Sequence, residues 1–247
     1  MEWVLCWKNG DNMERVKVVV ATIKPWNINL AHEFSRRFND NVQTYVITEK
    51  EGLTLDILRK IDPVYVFFPH WSWLIPKEIF QSYECIGFHI GDLPKGRGGS
   101  PLQNHIINKI YKTKITAFRI EEEIDAGDIY LKEDFYIGIG TAEEIFIKAA
   151  ELIFFKMIPY IIQNRPKPYK QALEATIYRR RKPEESNLEL ANIESLLDFY
   201  DFIRMLDAEG YPRAFLRFKN FKIVFSEPIL KHGKLVGRFE ILESCDE

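Results

Sequence analysis

The chain has 247 residues, of which 46% are hydrophobic and 14% aromatic, so it can bury a sizeable core. Its 34 basic and 36 acidic side chains leave a formal charge of -2. The stretch from residue 171 onward holds twelve basic against fourteen acidic residues. Because a chain without a basic excess offers phosphates no general attraction, we expect that nucleic acid is not a partner, although a local basic patch would escape this test.

The longest apolar stretch, residues 145–162, predicts a buried helix and no membrane span, because Lys148, Glu151 and Lys156 interrupt it. The first seventeen residues lack the charged-then-apolar order of a signal peptide. Three widely spaced cysteines, without metal-ligand spacing, are typical of a reducing compartment: Cys6, Cys85 and Cys245. We therefore expect a cytoplasmic protein that contacts no membrane.

The first third of the chain alternates near-continuous apolar runs with segments of helical spacing. This pattern predicts an α/β fold with a parallel sheet covered on both faces. The predicted strands are 16–23, 42–48, 64–68 and 84–88, and the first two helices contain 29–38 and 54–61. Ligands of such sheets bind outside the carboxyl ends of the strands. The loop at 88–101 begins where the fourth strand is expected to end, so it is a candidate site.

Further along, Ser100 and Pro101 are expected to occupy the N-cap and first position of a helix. A second helix, 141–162, opens with a capping box formed by Thr141 and Glu144. The polar, basic stretch from 163 to 187 predicts an arm or linker. The remaining predicted elements are strands at 115–120 and 128–137, a helix at 195–207, and strands at 214–218, 222–228 and 235–242.

The loop FHIGDLPKGRGGSP at 88–101, followed by EEEIDAGDI, resembles the folate-dependent formyltransferase family. In that family a strand ends in Asn-x-His, a loop of the type S-L-L-P-x-x-R-G-x-x-P follows, and D-x-G-D comes later. His89 matches the family histidine, and Asp125 follows it by 36 residues, which is the family spacing. The resemblance covers about residues 16–165. It implies a Rossmann-like catalytic core at 1–165, a basic linker at 166–190 and a small α+β subdomain at 191–247.

The resemblance implies transfer of a formyl group from 10-formyltetrahydrofolate to a primary amine, without a metal. Such a transfer needs donors for the developing oxyanion and groups that move protons. His89 is expected to do both, and Asp125 to hold its imidazole. The family asparagine falls at Gly87, which has no side chain, so Asn104 is the expected replacement and Gln103 the second candidate.

RRRKPEES and FIRMLDAEGYPRAF, in the tail, resemble enzymes that formylate methionyl-tRNA and enzymes that formylate nucleotide-linked 4-amino sugars. The first stretch is closer to the sugar enzymes. The expected acceptor is therefore a UDP- or dTDP-linked 4-amino-4,6-dideoxy sugar of surface glycan synthesis. Relatives of this kind are often dimers, so a homodimer is expected.

Several residues are candidates for binding the donor or the acceptor. Lys95 and Arg97 flank a glycine-rich bend whose free N–H groups suit a diphosphate or the folate glutamate tail. Trp71 and Trp73 either stack on a pterin or a base, or pack against the core. His70 and the arginines of the tail, including Arg181, contact the substrate or serve only structure and solvation. The candidate binding residues are Lys95, Arg97, Gly98, Gly99, Ser100, Gln103, His70, Trp71, Trp73, Arg179 and Arg180.

Three other functions are weighed against this one. A methionyl-tRNA formyltransferase would be expected to carry a longer and more basic tail. A binding protein for folate or a nucleotide sugar, without turnover, would follow if Gly87 marks a lost catalytic amide. A metal hydrolase using His70, His89 and Asp125 lacks any recognised metal motif.

Overall fold

The computed structural model describes residues 14–172 and 174–243. Cys6, Cys245 and the opening thirteen residues lie outside them, and so do the expectations drawn from these positions. The described residues form two compact units. The first contains those up to Arg97, with Lys114–Glu133 and Ile147–Thr176. The second contains Gly98–Thr113, Asp134–Phe146 and those from Ile177 onward. The sequence-based division at residues 165 and 190 stays a prediction.

Strands and helices alternate along most of the described chain. The strands are β1 (Val16–Ala21), β2 (Val42–Ile47), β3 (Tyr65–Phe68), β4 (Cys85–Ile90), β5 (Arg97–Gly98), β6 (Lys112–Arg119), β7 (Ile129–Tyr136), β8 (Ile177–Tyr178), β9 (Phe215–Phe218), β10 (Phe221–Lys231) and β11 (Lys234–Glu243). The helices are α1 (Pro25–Arg37), α2 (Leu55–Ile61), α3 (Lys77–Ser82), α4 (Pro101–Ile107), α5 (Ala142–Leu152), α6 (Ile158–Asn164) and α7 (Leu196–Arg204).

The main sheet has six strands in the order β2-β1-β3-β4-β6-β7. Strands β1 to β4 pair in parallel, and β6 runs antiparallel to β4. Val18, Val19 and Val20 of β1 are fully buried, as expected for a central strand covered on both faces. The parallel-dominated, Rossmann-like α/β fold class is therefore confirmed, together with a small C-terminal antiparallel sheet in the order β11-β10-β9.

Two details of the predicted elements differ from the structure. Strand β4 continues to Ile90, so His89 lies within a strand rather than in the loop after it. The predicted helix 141–162 contains a π-helical turn at Ile153–Met157, just before Pro159. The proline ring clashes with the carbonyl group one turn earlier and lacks an N–H group, which explains the widened turn.

The capping box is confirmed: Thr141 N–H donates to Glu144, and Glu144 N–H donates to the Thr141 hydroxyl.

A buried ionic cluster lies in the second unit. Arg204 is fully buried, and its Nε donates to Asp201 Oδ1 at 2.7 Å. Lys109 and Tyr111 both donate to Asp201 Oδ2, at 2.9 and 2.5 Å. Burial, then the bond to Asp201, raises the pKa of Tyr111 to about 12. Since a buried arginine without its carboxylate would be costly, Asp201 stabilises this part of the fold.

In the described part of the chain, no helix is long and apolar enough to cross a membrane.

We expect Asp201→Asn to lower the free energy of unfolding by about 3 kcal/mol, because it leaves Arg204 buried without a negative partner. Urea unfolding followed by circular dichroism measures this loss. Asp56→Asn is the matched control, since Asp56 forms an exposed pair with Arg59 and its loss should cost under about 0.5 kcal/mol. Equal stability of the two variants would contradict the role given to Asp201.

Candidate active site

The structure brings His89 and Asp125 together in the first unit. Asp125 occupies the connection between β6 and β7 with a φ of 54°, a left-handed conformation that aspartate tolerates. Its Oδ2 lies 3.4 Å from Nδ1 of His89, and the His89 Nε2 lies 2.9 Å from the carbonyl oxygen of Gly96. The two side chains are only 5% and 16% exposed. The imidazole is therefore held in a buried position between a carboxylate and a carbonyl group.

This arrangement determines which protonation states of His89 are well bonded. A carboxylate and a carbonyl oxygen are both acceptors, and each is best satisfied by an N–H donor. Only the imidazolium carries a hydrogen on both ring nitrogens. The site can thus accommodate a positively charged ring, and the poor exposure of both groups strengthens the attraction to Asp125.

The loop that supplies the Gly96 carbonyl is held by Thr176, which the sequence analysis did not single out. The N–H of Gly96 donates to the Thr176 hydroxyl at 2.7 Å, and the N–H of Arg97 donates to the Thr176 carbonyl at 2.9 Å. A threonine eighty residues away in sequence thus positions the acceptor of His89.

Gln171, also missed, connects the Asp125 turn to Arg97. Its Nε2 donates to the carbonyl oxygens of Asp125 and Gly127, each at 2.8 Å. Its Oε1 accepts from Nε and Nη2 of Arg97, at 3.1 and 2.9 Å. The two acceptors in the turn are main-chain carbonyl oxygens, which every residue has, so no sequence motif identifies Gln171 as their donor. The sequence of 163–187 shows only a polar, basic stretch, and that composition predicted an arm.

Arg97 and the glycine-rich bend differ from the expected anion site. The Arg97 guanidinium bonds to Gln171 and, through Nη1, to Glu123 at 3.0 Å. The expectation of free N–H groups is wrong for Gly96, Arg97 and also Gly99, whose N–H donates to Tyr178. The bonds of Arg97 and Gly99 accompany the pairing of β5 with β8 in a small sheet. Lys95 is exposed, and its role stays a prediction.

The second unit contains Asn104 and its neighbours on α4. Asn104 Nδ2 donates to the carbonyls of Gly99 and Ser100, at 3.1 and 2.9 Å. Gln103 is buried, and its Nε2 donates to the Met205 carbonyl at 3.1 Å. Both amides are thus bonded to main-chain carbonyls, and their catalytic role stays a prediction. Ser100 stands at the N-cap position but has a φ of 52° and makes no side-chain cap.

The arginines of the tail also lie in the second unit. Arg179 forms a bidentate pair with Glu185, with distances of 2.8 and 2.5 Å. This pairing is the main reason that the pKa of Glu185 falls to about 2. Arg181 donates to the carbonyl of Glu185, and the main chain of Arg180 lies close beside Gly99. Binding of a substrate by Arg179 and Arg180 stays a prediction.

The residues after β3 form an aromatic group in the first unit. The rings of Trp71 and Trp73 meet edge to face at 4.8 Å, and Trp71 also contacts Phe68 at 6.1 Å. Trp71 packs against the core, whereas Trp73 is partly exposed. His70 has a φ of 59° and meets the ring of Trp26 edge-on. Burial, then the charge of Lys24, lowers the pKa of His70 to about 4.

The position of the family asparagine, Gly87, faces an aromatic ring from the neighbouring strand. Gly87 pairs with Phe118 of β6. A Cβ atom at Gly87 would lie 2.8 Å from Cζ of Phe118 and 3.4 Å from Cγ1 of Ile120. Phe118 belongs to a buried cluster with Leu93. Its ring thus fills the space that a side chain at position 87 would need.

We expect Gly87→Asn to lower the free energy of unfolding by about 2 kcal/mol, because the new side chain overlaps the Phe118 ring. The double variant Gly87→Asn/Phe118→Leu should recover part of that loss, since leucine vacates the overlapping space. Urea unfolding of both single variants and the double variant gives the coupling energy. Purely additive losses would contradict this account.

We expect acid to destabilise the protein partly through His70. Its folded pKa of about 4 lies below the unfolded value near 6.5, so the unfolded chain binds more protons between these values. The stability that the neutral imidazole contributes is present above pH about 6.5, and it falls by about 3 kcal/mol between there and pH about 4. His70→Asn, which also tolerates a positive φ, should weaken this fall in urea unfolding. The exposed His32→Asn serves as control, and an unchanged pH dependence in His70→Asn would refute the assignment.

Residues 183–242 match the family model "Methionyl-tRNA formyltransferase, C-terminal domain". The methionyl-tRNA formyltransferase of Rickettsia felis is 30% identical over 144 residues, which cover 56% of this chain and 47% of that protein. The chain spans about half the length of the curated relatives that it matches first.

Solved structures similar to this fold include a close relative and a distant one. A methionyl-tRNA formyltransferase from Clostridium thermocellum is 47% identical, with a TM-score of 0.89, and covers 92% of this chain and 99% of its own. HypX from Aquifex aeolicus, solved in complex with tetrahydrofolic acid, is 15% identical with a TM-score of 0.68. That alignment covers 90% of this chain and 40% of HypX, and it supports the fold alone.

These comparisons correct the expected acceptor. A nucleotide-linked amino sugar is contradicted, because the matching family model and the relatives at 30% and 47% identity are all methionyl-tRNA formyltransferases. The exclusion of nucleic acid as a partner conflicts with the same findings. The homodimer stays a prediction.

Among the described residues, no group of three or more His, Cys, Asp or Glu side chains is placed to hold a metal ion. With a 47% identical relative that it covers almost completely, this chain belongs to the formyltransferase family.

Proposed function

We propose that this protein transfers a formyl group from 10-formyltetrahydrofolate to the amino group of methionyl-tRNA. The observation that carries the proposal is the 47% identity with the Clostridium thermocellum enzyme across 99% of that chain. The match of residues 183–242 to a methionyl-tRNA formyltransferase domain supports the same acceptor. The buried pair of His89 and Asp125 supports a reaction that moves protons.

The first unit offers polar atoms that fit a folate. Nε1 of Trp71 and Oδ1 of Asn27 are buried and have no hydrogen-bond partner among the described residues. A pterin ring carries both acceptors and donors, so it could satisfy an indole N–H and an amide oxygen. Trp71 follows β3, and Asn27 lies in the first turn of α1, after β1. Both therefore belong to the carboxyl edge of the sheet, where α/β folds bind ligands.

The geometry around His89 supports the chemical roles proposed here. Attack of the acceptor amine on the formyl carbon places negative charge on the formyl oxygen, and the amine must then lose a proton. A positively charged His89 stabilises the oxyanion by donating from Nε2, which exchanges its bond with Gly96 for one with the substrate. Asp125 accepts the amine proton through water. With His89, it then returns a proton to the folate nitrogen that loses the formyl group. The attraction between the two side chains keeps the imidazole oriented throughout.

We expect His89→Asn and Asp125→Asn each to lower kcat/KM by about 10³-fold, because each removes a group that acts in the transition state. The assay mixes the protein with 10-formyltetrahydrofolate and methionyl-tRNA, and mass spectrometry of the released amino acid detects N-formylmethionine. His32→Asn changes an exposed histidine of α1 in the same way and should leave the rate unchanged.

Two results would contradict the proposal. Variants of His89 and Asp125 within tenfold of the parent would refute the assigned roles. A parent protein that binds the folate but formylates no methionyl-tRNA would refute the acceptor. Thermal unfolding of each variant ensures that a lost rate reflects chemistry rather than a lost fold.

A further inference from the structure

The turn that carries Asp125 adopts a conformation with an energetic cost. Asp125 has a φ of 54°, which aspartate tolerates but which its surroundings must stabilise. Within the turn, the N–H of Ala126 donates to the carbonyl of Glu123 at 3.3 Å, which is long for such a bond. The carboxylate must nevertheless keep its Oδ2 3.4 Å from Nδ1 of His89. Contacts from another part of the chain therefore matter for the position of this carboxylate.

Gln171 binds this turn with the whole of its side-chain amide. Its Nε2 carries two hydrogens and donates to the main-chain oxygens of Asp125 and Gly127, each at 2.8 Å. Its Oε1 accepts from Nε and Nη2 of Arg97, at 3.1 and 2.9 Å. The opposite orientation of the amide would place its oxygen against two carbonyl oxygens and its hydrogens against a guanidinium. The side chain therefore has one favourable orientation, which holds the turn.

Arg97 extends these contacts to the other side of the imidazole. Its side chain is only 15% exposed, and it also pairs with Glu123, two residues before the catalytic aspartate, at 3.0 Å. Arg97 follows Gly96, whose carbonyl oxygen lies 2.9 Å from Nε2 of His89. The contacts thus form a closed cycle, whose members are His89, Asp125, Gln171, Arg97 and Gly96.

The rate of a reaction is sensitive to the geometry of such a cycle. A misplacement of about 1 Å, caused by a residue away from the reacting atoms, can lower a rate by about a hundredfold. Gln171 bonds to the main chain of the catalytic aspartate and, through Arg97, to the loop that supplies the acceptor of His89. It is therefore placed to affect the rate through these groups.

We infer that Gln171 is a positioning residue for formyl transfer, which holds the carboxylate of Asp125 against the imidazole of His89. This inference rests on the proposed function, since the step whose rate Gln171 sets is the one proposed there. Because Gln171 acts through Asp125, its effect on the rate should disappear once that carboxylate is removed.

Gln171→Glu tests this role with almost no change in the size of the side chain. The new carboxylate still accepts from Arg97, but it replaces both donors with an oxygen that faces two carbonyl oxygens. We expect kcat for the formylation of methionyl-tRNA to fall by about 30-fold, because the lost bonds affect the geometry of the transition state. The KM for each substrate should stay within about twofold of the parent value.

The matched control is Gln43→Glu. Gln43 is a half-buried glutamine of the same unit, and its Nε2 donates to the hydroxyl of Tyr45 at 2.7 Å. The substitution removes a side-chain donor in the same way, but it touches no member of the cycle. It should leave kcat within about twofold of the parent value.

A double variant shows whether Gln171 acts through Asp125. In an Asp125→Asn background, Gln171→Glu should lower kcat by less than about twofold more, because the carboxylate that it positions is already gone. A residue that only stabilises the fold would cause the same relative loss in both backgrounds. The measurement is the formylation assay at varied concentrations of 10-formyltetrahydrofolate and methionyl-tRNA, with thermal unfolding to show that each variant is folded.

Should Gln171→Glu fail to fold, Gln171→Met removes both donors without adding a charge and gives the same test. A parent that formylates methionyl-tRNA while the Gln171 variant keeps its kcat, or raises only KM, overturns this inference and leaves the proposed function standing. Equal relative losses with and without the Asp125 carboxylate also overturn it. A parent that formylates no methionyl-tRNA overturns the proposed acceptor and this inference together.

Discussion

The position of one imidazole ring organises the first unit. His89 lies between the carboxylate of Asp125 and the carbonyl of Gly96, and each of these comes from a different connection beyond the sheet. Thr176 binds the loop at Gly96, and Gln171 binds the turn at Asp125, so a single later segment braces both sides of the histidine.

The missing family asparagine has a packing explanation. A side chain at Gly87 is blocked by the ring of Phe118, a neighbour on the adjacent strand, so the glycine and the phenylalanine form one solution to the packing of the sheet. The charge argument against nucleic acid conflicts with the methionyl-tRNA formyltransferase relatives. It rests on a sum over the whole chain, and a local basic patch escapes such a sum. Residues 210–226, for example, carry four basic side chains and no acidic ones.

The residues of the candidate site that could be predicted from the sequence are those whose type and spacing form a recognisable motif. His89 and Asp125 were recognised because they belong to a spaced motif, and the strand pattern placed the loop at the carboxyl edge of the sheet. Gln171 and Thr176 were not recognised, because they act through main-chain carbonyl and N–H groups that every residue possesses. The free N–H groups expected near Arg97 were wrong for a related reason. The pairing of β5 with β8 joins segments about eighty residues apart, and no local pattern reports such a contact.

The sequence by itself determined the α/β class, the order of the strands along the chain, the capping box at Thr141 and the identity of the central pair. These depend on local periodicity, on side-chain chemistry at short range and on a motif. The tertiary structure decided which groups stand beside that pair and which amides are already bonded. Those outcomes depend on which distant segments become neighbours, and this is settled by packing and by hydrogen bonding across the whole fold.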